Sequence, residues 1–239
     1  MWTKLKQSSE DSKTSPQDIK PENIKSDDRI KPFDETVPTK GHMALKRLCE
    51  LGYINHIVSQ NVDGLFLKSN LPRKFISELH GNFYLDECTR CRSRFIRDKA
   101  SQSMRLQRSS TRCLRGPDKC KGYLRDTILD WESPIPYNEL RVATRESKRN
   151  KLHLCIGTSL QLKPSKDLVP KTKGKGHKLM VLNLQPTMFD KHADLVINHY
   201  ADNVMEELAR QMDFEIPQYA TEEDPTKNPE TIGSLWEKK

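Results

Sequence analysis

Residues 152–159 read LHLCIGTS: a short, largely apolar run from Leu152 to Ile156 that ends on Gly157-Thr158-Ser159. A run of this length bounded by a glycine turn reads as a buried strand. Two more follow, Lys178 to Leu184 (KLMVLNL) and Asp194 to Asn198 (DLVIN). A closing helix from Asp202 to Met212 sets Val204, Met205, Leu208 and Met212 on one face. Strands interleaved with helices specify an α/β fold whose parallel sheet is covered on both faces. Such sheets bind ligands beyond the carboxyl ends of their strands. The polar groups there are Gln60-Asn61, Gly157-Thr158-Ser159 and Asn183-Leu184-Gln185.

Upstream, Thr39 can cap a helix with Ala44, Leu45, Leu48 and Cys49 on one face, and Gly52 is placed to end it. Ile54 to Ser59 (INHIVS) then reads as a short strand. Residues 1–32 are rich in Lys and Ser without periodicity, so disorder is expected there, with order starting at Phe33. From Phe214 onward periodicity is lost, and a flexible tail is expected over 213–239.

The 239 residues are 34% hydrophobic and 31% charged. No window approaches the roughly 18 consecutive apolar residues of a membrane span, and the first residues carry no apolar signal core. Net charge is +8, and residues 91–125 hold 11 Lys/Arg against 2 Asp/Glu while the remainder is near balance. A field of that size attracts polyanions or acidic protein surfaces. The alternative is a solvated basic loop with no dedicated partner.

Cys88-Thr-Arg-Cys91 is followed by Cys113 and Cys120. Two thiolates from one tight turn and two from a later segment can complete a tetrahedron, which suits zinc. Four sulfur ligands leave no open position, so such a site is structural. The alternative is four unrelated thiols, and the second spacing is looser than usual. Cys49 and Cys155 lie in apolar segments and read as core residues.

Ser59-Gln60-Asn61-Val62-Asp63-Gly64-Leu65, then Glu78-Leu79-His80-Gly81, the cysteine quartet, Gly157-Thr158-Ser159-Leu160 and Asn183-Leu184-Gln185 occur in an order that resembles the sirtuins, NAD-dependent protein deacylases. Thr127 to Glu132, Gly157 to Pro164, Val181 to Thr187 and His192-Ala-Asp-Leu are similar to the class IV, sirtuin-6-like branch. The likeness runs from Phe33 to Pro217.

The resemblance implies a Rossmann-like NAD-binding domain over 33–87 and 126–212, interrupted by a zinc-binding module over 88–125. It implies deacylation of acyl-lysine proteins, histone tails among them, with release of nicotinamide and O-acyl-ADP-ribose. It also admits mono-ADP-ribosyl transfer, a nuclear location, and nucleosome or chromatin contact through the basic zinc module; no membrane partner is implied. His80 is implied as general base on the ribose hydroxyls, a task that suits imidazole. Asn61 is implied to orient ribose and water, Asp63 to hold the nicotinamide amide, and Gln60 to contact ribose. Gly157, Thr158 and Ser159 are implied at phosphate, Asn183, Gln185 and Ala201 on the adenosine side, Trp2 at the cofactor, and Trp131 along the acyl-lysine channel. Asn61 and Asp63 could instead form a turn, Gly157-Thr158-Ser159 an ordinary strand-to-helix connection, and Trp131 part of the core.

The sequence departs from the family pattern in four places. It contains no Gly-rich Gly-Ala-Gly-Ile-Ser type loop, nor the strand that leads into it. The expectation is weakened NAD binding and an exposed sheet edge, with action as a chromatin- or protein-binding module as the alternative to catalysis. Phe66 replaces the family's usual His, Ala201 replaces a larger apolar residue, and the Cys113 to Cys120 spacing is short.

Overall fold

The computed structural model describes residues 32–130, 132–169 and 176–236. The expected disorder of 1–32 therefore falls almost wholly outside the described residues, as do Trp2 and Trp131.

Helix α1 (Lys40–Glu50) starts after Thr39 and buries Met43, Ala44, Leu48 and Cys49; the one-turn helices α2 (Leu65–Lys68) and α4 (Ser165–Leu168) come later in the chain. Strand β1 (Ile57–Ser59) pairs in parallel with β2 (Ile76–Glu78), in register Ile57 to Ile76. Downstream, β7 (Leu152–Ile156), β8 (Lys178–Leu182) and β9 (Leu195–Ile197) form a parallel three-stranded sheet in that order. The parallel strands thus form two hydrogen-bonded groups among the described residues, where a single sheet was expected.

Alternation along each strand sends neighbouring side chains to opposite faces. Leu154, Ile156, Leu182 and Ile197 pack with Ala44 of α1 and Met205 of α5 (Ala201–Gln211). Cys155, Leu179, Val181 and Val196 pack on the other face with Leu160, Val169 and Phe189. Helix α1 also packs Cys49 against Ile57, Leu71 and Ile76, so one helix serves both groups of strands. On the far side of β1, Val58 and Leu79 meet Ala143 of α3 (Tyr137–Arg149).

The amino ends of both groups converge. Asn55, just before β1, donates from Nδ2 to Asn150 Oδ1 at 2.6 Å; His177, just before β8, bonds through Nδ1 to the Asn150 carbonyl; and Lys178 N–H reaches Lys151 O at 2.7 Å. All five parallel strands therefore point their carboxyl ends away from this junction.

Between β2 and α3 lies an antiparallel sheet ordered β4-β3-β6-β5: β3 (Leu85–Cys88), β4 (Arg94–Ile96), β5 (Arg108–Arg112) and β6 (Tyr123–Asp126). A buried ion network ties it to the parallel part. Glu139 of α3 pairs with Arg73, which precedes β2, and with Arg94 of β4 at 3.1 Å.

Over 213–236, where a flexible tail was expected, the chain makes backbone contacts with the antiparallel sheet. Leu235 bridges to Phe95, Trp236 N–H donates to Arg94 O at 3.0 Å and Gly233 N–H to Ile96 O at 2.8 Å, so the segment covers the outer edge of β4. Trp236 lies under the Arg73 guanidinium, 4.8 Å from the ring centre. Asp224 is 0% exposed and accepts from Tyr219 Oη at 2.7 Å, Thr226 N–H at 2.8 Å and Thr226 Oγ1 at 2.8 Å.

Candidate functional site

His80 follows the carboxyl end of β2, and Gln60 that of its neighbour β1. Parallel pairing thus sets the two side by side, and His80 Nδ1 lies 3.2 Å from the Gln60 carbonyl. A carbonyl only accepts, so this bond requires the proton on Nδ1, and in the neutral ring that leaves Nε2 with a free lone pair. That is the form a general base needs.

The backbone around His80 is held by residues to which the sequence reading gave no role. Gly81 has φ +94°, and a Cβ there would sit 1.9 Å from Thr127 O. Thr127 Oγ1 accepts from Asn82 N–H at 3.0 Å and donates to Asn82 O at 2.8 Å. The Asn82 side chain donates to Glu78 Oε1 at 2.7 Å and accepts from Tyr84 N–H at 2.8 Å. Leu129 N–H reaches His80 O at 3.1 Å. A glycine directly after the histidine was the one sequence signal of this tight approach.

Burial raises the carboxyl of Glu78 to about 7, against the attraction of Arg73 and Arg94. Its Oε2 is buried without a hydrogen-bond partner. Behind His80 there is thus a carboxyl that holds its proton across the acidic range.

In the loop after β1, Ser59 Oγ accepts from Asn61 N–H at 3.1 Å, and Asp63 Oδ1 accepts from Leu65 N–H at 3.0 Å. The side chains of Ser59 and Asp63 thus shape this loop, and Asn61 is exposed. Gly64 at φ +72° completes the loop, where a Cβ would meet the Tyr84 ring at 2.6 Å.

The second set of expected residues lies at the carboxyl ends of the other sheet. Gly157, at φ +59°, donates its N–H to Leu182 O at 2.9 Å. Thr158 Oγ1 accepts from Leu160 N–H at 3.3 Å, which makes 157–160 a strand-to-loop turn. Asn183 continues the ladder to Ile197 O at 3.1 Å, and its Nδ2 donates to Gln185 O at 2.7 Å. Ala201 opens α5.

The amino end of α1 bridges the two sets. Asp202, beside Ala201, accepts through Oδ1 from Gly41 N–H and from Thr39 Oγ1, both at 2.8 Å. A Cβ on Gly41 would stand 2.7 Å from that oxygen. His42 lies one residue on, its imidazole held below the usual value by burial against the attraction of Asp63 and Asp202. Its ring meets Phe66 edge-on at 4.9 Å. His42 was missed because a histidine in the first turn of a helix carries no motif.

Two features fit a dinucleotide. Gln60 Nε2 is buried with no hydrogen-bond partner. Beyond Gly157 the space is open, with nothing within 4 Å of where a Cβ would be.

The four cysteines Cys88, Cys91, Cys113 and Cys120 converge, their sulfurs all within 4.8 Å of one another. Cys88 Sγ lies 3.6 Å from Cys120 Sγ, and Cys91 Sγ 3.7 Å from Cys113 Sγ. A disulfide would need about 2.05 Å, whereas sulfurs about 2.3 Å from a tetrahedral zinc lie about 3.8 Å apart. Backbone N–H groups of Arg90, Cys91 and Gly122 point at these sulfurs at 3.4–3.5 Å, which favours thiolates. Gly122 is required here, since a Cβ would lie 2.5 Å from Cys88 Sγ. The donor set fits one structural zinc.

Comparisons with known proteins converge on one family. The Sir2 family pattern matches residues 2–164. The chain is 42% identical over 200 residues to the NAD-dependent protein deacetylase Sirt6 of Drosophila melanogaster, covering 82% of this chain and 63% of that protein. It is 36% identical over 211 residues to the NAD-dependent protein deacetylase sirtuin-7 of Homo sapiens, covering 81% and 50%. The chain thus spans less than two thirds of either relative. Among solved structures, Sir2Tm bound to a propionylated peptide superposes with a TM-score of 0.61 at 28% identity, covering 78% of this chain and 76% of that one. A complex of a Sir2 homolog with NAD gives 0.62 at 27% identity, covering 76% and 67%. The sheet-end histidine, the cysteine cluster and these likenesses agree: the chain belongs to the Sir2 family and has its Rossmann-like α/β fold.

Proposed function

We propose that this chain carries the catalytic residues of an NAD-dependent protein-lysine deacylase. The observation that carries this reading is the His80 ring, with Nδ1 on the Gln60 carbonyl and Nε2 left as a base. Bound NAD supplies an electrophilic ribose carbon and nicotinamide as leaving group. His80 Nε2 takes a proton from a ribose hydroxyl, Gln60 Nε2 donates to the ribose, and Asn61 and Asp63 orient water and the nicotinamide amide. Gly157, Thr158 and Ser159 hold phosphate; Asn183 and Gln185, with the start of α5 at Ala201, hold the adenosine end. The family resemblance assigns Trp2 to the cofactor and Trp131 to the acyl-lysine. Cys88, Cys91, Cys113 and Cys120 hold a structural zinc.

The substrates are acyl-lysine proteins. Support comes from the neighbouring Sir2 structures, whose peptides are propionylated, acetylated or derived from p53. Histone tails, contact with chromatin through the basic module and a nuclear location extend the same reading. Mass spectrometry of the protein with NAD and acetyl- or long-chain-acyl peptides tests it. The reading requires O-acyl-ADP-ribose from wild type and none from His80→Tyr. Equal product from both would contradict it, and no product from a folded, zinc-loaded protein would favour a binding module.

A further inference from the structure

The outer face of α3 carries charge that the site does not use. At about 100° per residue, Tyr137, Arg141, Arg145, Lys148 and Arg149 fall within about 120° of arc, opposite the buried Ala143. All five are exposed, Tyr137 at 75%. Arg141 and Lys148 have no ion pair among the described residues. Among the described residues Glu146 is the acid that answers this stripe, half-buried and at 2.8 Å from Arg145 and 3.6 Å from Arg149, so one carboxylate faces four cations. The other acid of the helix, Glu139, is buried and committed to Arg73 and Arg94.

The stripe runs into a cavity of about 300 Å³ at the amino ends of the strands, lined by Asn55, His56, Lys74, Arg145, Glu146, Arg149 and Asn150. Three separate segments build it: the approach to β1, the turn before β2, and the end of α3. It lies at the opposite end of the strands from His80.

Arg149 and Lys148 also complement the dipole of the helix end, but that effect fades within one turn, and Arg141 lies two turns earlier. Cations at i, i+4, i+7 and i+8 make a linear array spaced about 6 Å per helical step of four residues. A linear array of cations with an exposed aromatic at its head suits a regularly charged polymer. Tyr137 and Leu140 stand beside these cations in one groove, but four cations, one of them lysine, are more than the centre of a protein interface carries, where charged residues are depleted.

We propose that the α3 face and the adjoining cavity bind the phosphate backbone of duplex nucleic acid. Four cations on the stripe account for a salt dependence of log K on log salt of about −3.6.

The test is fluorescence anisotropy of the full chain with a labelled DNA duplex, without NAD, over about 50–200 mM salt. The variant is Arg141→Glu/Lys148→Glu, made alone and on an Arg108→Glu/Arg112→Glu background that removes cations of β5. The proposal expects at least about tenfold weaker binding and a slope reduced by about 2 on either background. Arg141→Gln/Lys148→Gln should give the same direction with less change in net charge. Wild-type affinity and slope in both α3 variants would overturn it. So would α3-dependent binding of polyglutamate with no binding of the duplex, which would assign the face to an acidic protein. As NAD and acyl-peptide are absent, failure here leaves the deacylase reading standing.

Discussion

His80 Nδ1 lies 3.2 Å from the carbonyl of Gln60, and this contact joins the ends of two paired parallel strands. It turns sheet register into chemistry. Ser59 pairs with Glu78, so Gln60 stands one residue past β1 and His80 two past β2. The carbonyl selects the tautomer, and the tautomer decides which nitrogen is free to act.

That arrangement depends on the close approach of Gly81 to Thr127. Gly81→Ala should destabilise the protein by more than Asn82→Ala, because the new methyl would overlap a backbone oxygen at 1.9 Å in a left-handed conformation. Asn82→Ala removes the partners of Glu78 Oε1 and Tyr84 N–H, at about 1–3 kcal/mol for each buried group left unpaired. Urea unfolding of both variants measures this. A Gly81→Ala protein as stable as wild type would contradict the geometry.

Glu78 predicts a pH dependence. Its carboxyl is raised to about 7 from an ordinary value of 4.5. The native state therefore holds the proton more tightly than the unfolded state, and this group's contribution is full below about 4.5. That contribution is lost as pH rises through about 7. Glu78→Gln keeps the acceptor for Asn82 and removes the titration. The stability difference between wild type and variant should shift in favour of the variant from pH 5 to pH 8. A difference that stays constant over that range would refute the buried, protonated carboxyl.

The regular elements were legible where apolar runs are continuous. Leu152–Ile156 matched expectation, and α5 began one residue before it and ended one before it. The INHIVS segment was cut to Ile57–Ser59 for a local reason: Tyr53 and Ile54 both donate N–H to Leu48 O, closing α1 and delaying strand pairing. The ordered 213–236 segment was hidden because polar residues anchor it. Asp224, Thr226 and Tyr219 bond to one another and leave no hydrophobic period to read. At the site, residues in motifs stood out, whereas Asn82 and His42, and the part Thr127 plays within its motif, act through contacts that sequence spacing does not reveal.

The tail makes its own prediction. Removing residues 214–239 strips the Leu235 and Trp236 contacts from β4 and uncovers a strand edge. Thermal unfolding of the shortened chain should begin lower and end in aggregation. An unchanged midpoint would mean the segment contributes nothing to the fold.

The cysteine cluster predicts one zinc per chain by elemental analysis. Cys113→Ser should lose it, and chelation of wild type should lower the melting temperature, because binding energy of a structural metal is folding energy. Full zinc occupancy in Cys113→Ser would remove that residue from the ligand set.

The most direct measurement is the tautomer of His80, read from long-range 15N–1H correlations of the folded protein above the imidazole titration. The account predicts a proton on Nδ1 and an unprotonated, acceptor-type Nε2, with the pattern unchanged in a His56→Gln control that clears one other ring from the spectrum. A proton on Nε2 would break the link to the Gln60 carbonyl, and with it the assignment of His80 as the base.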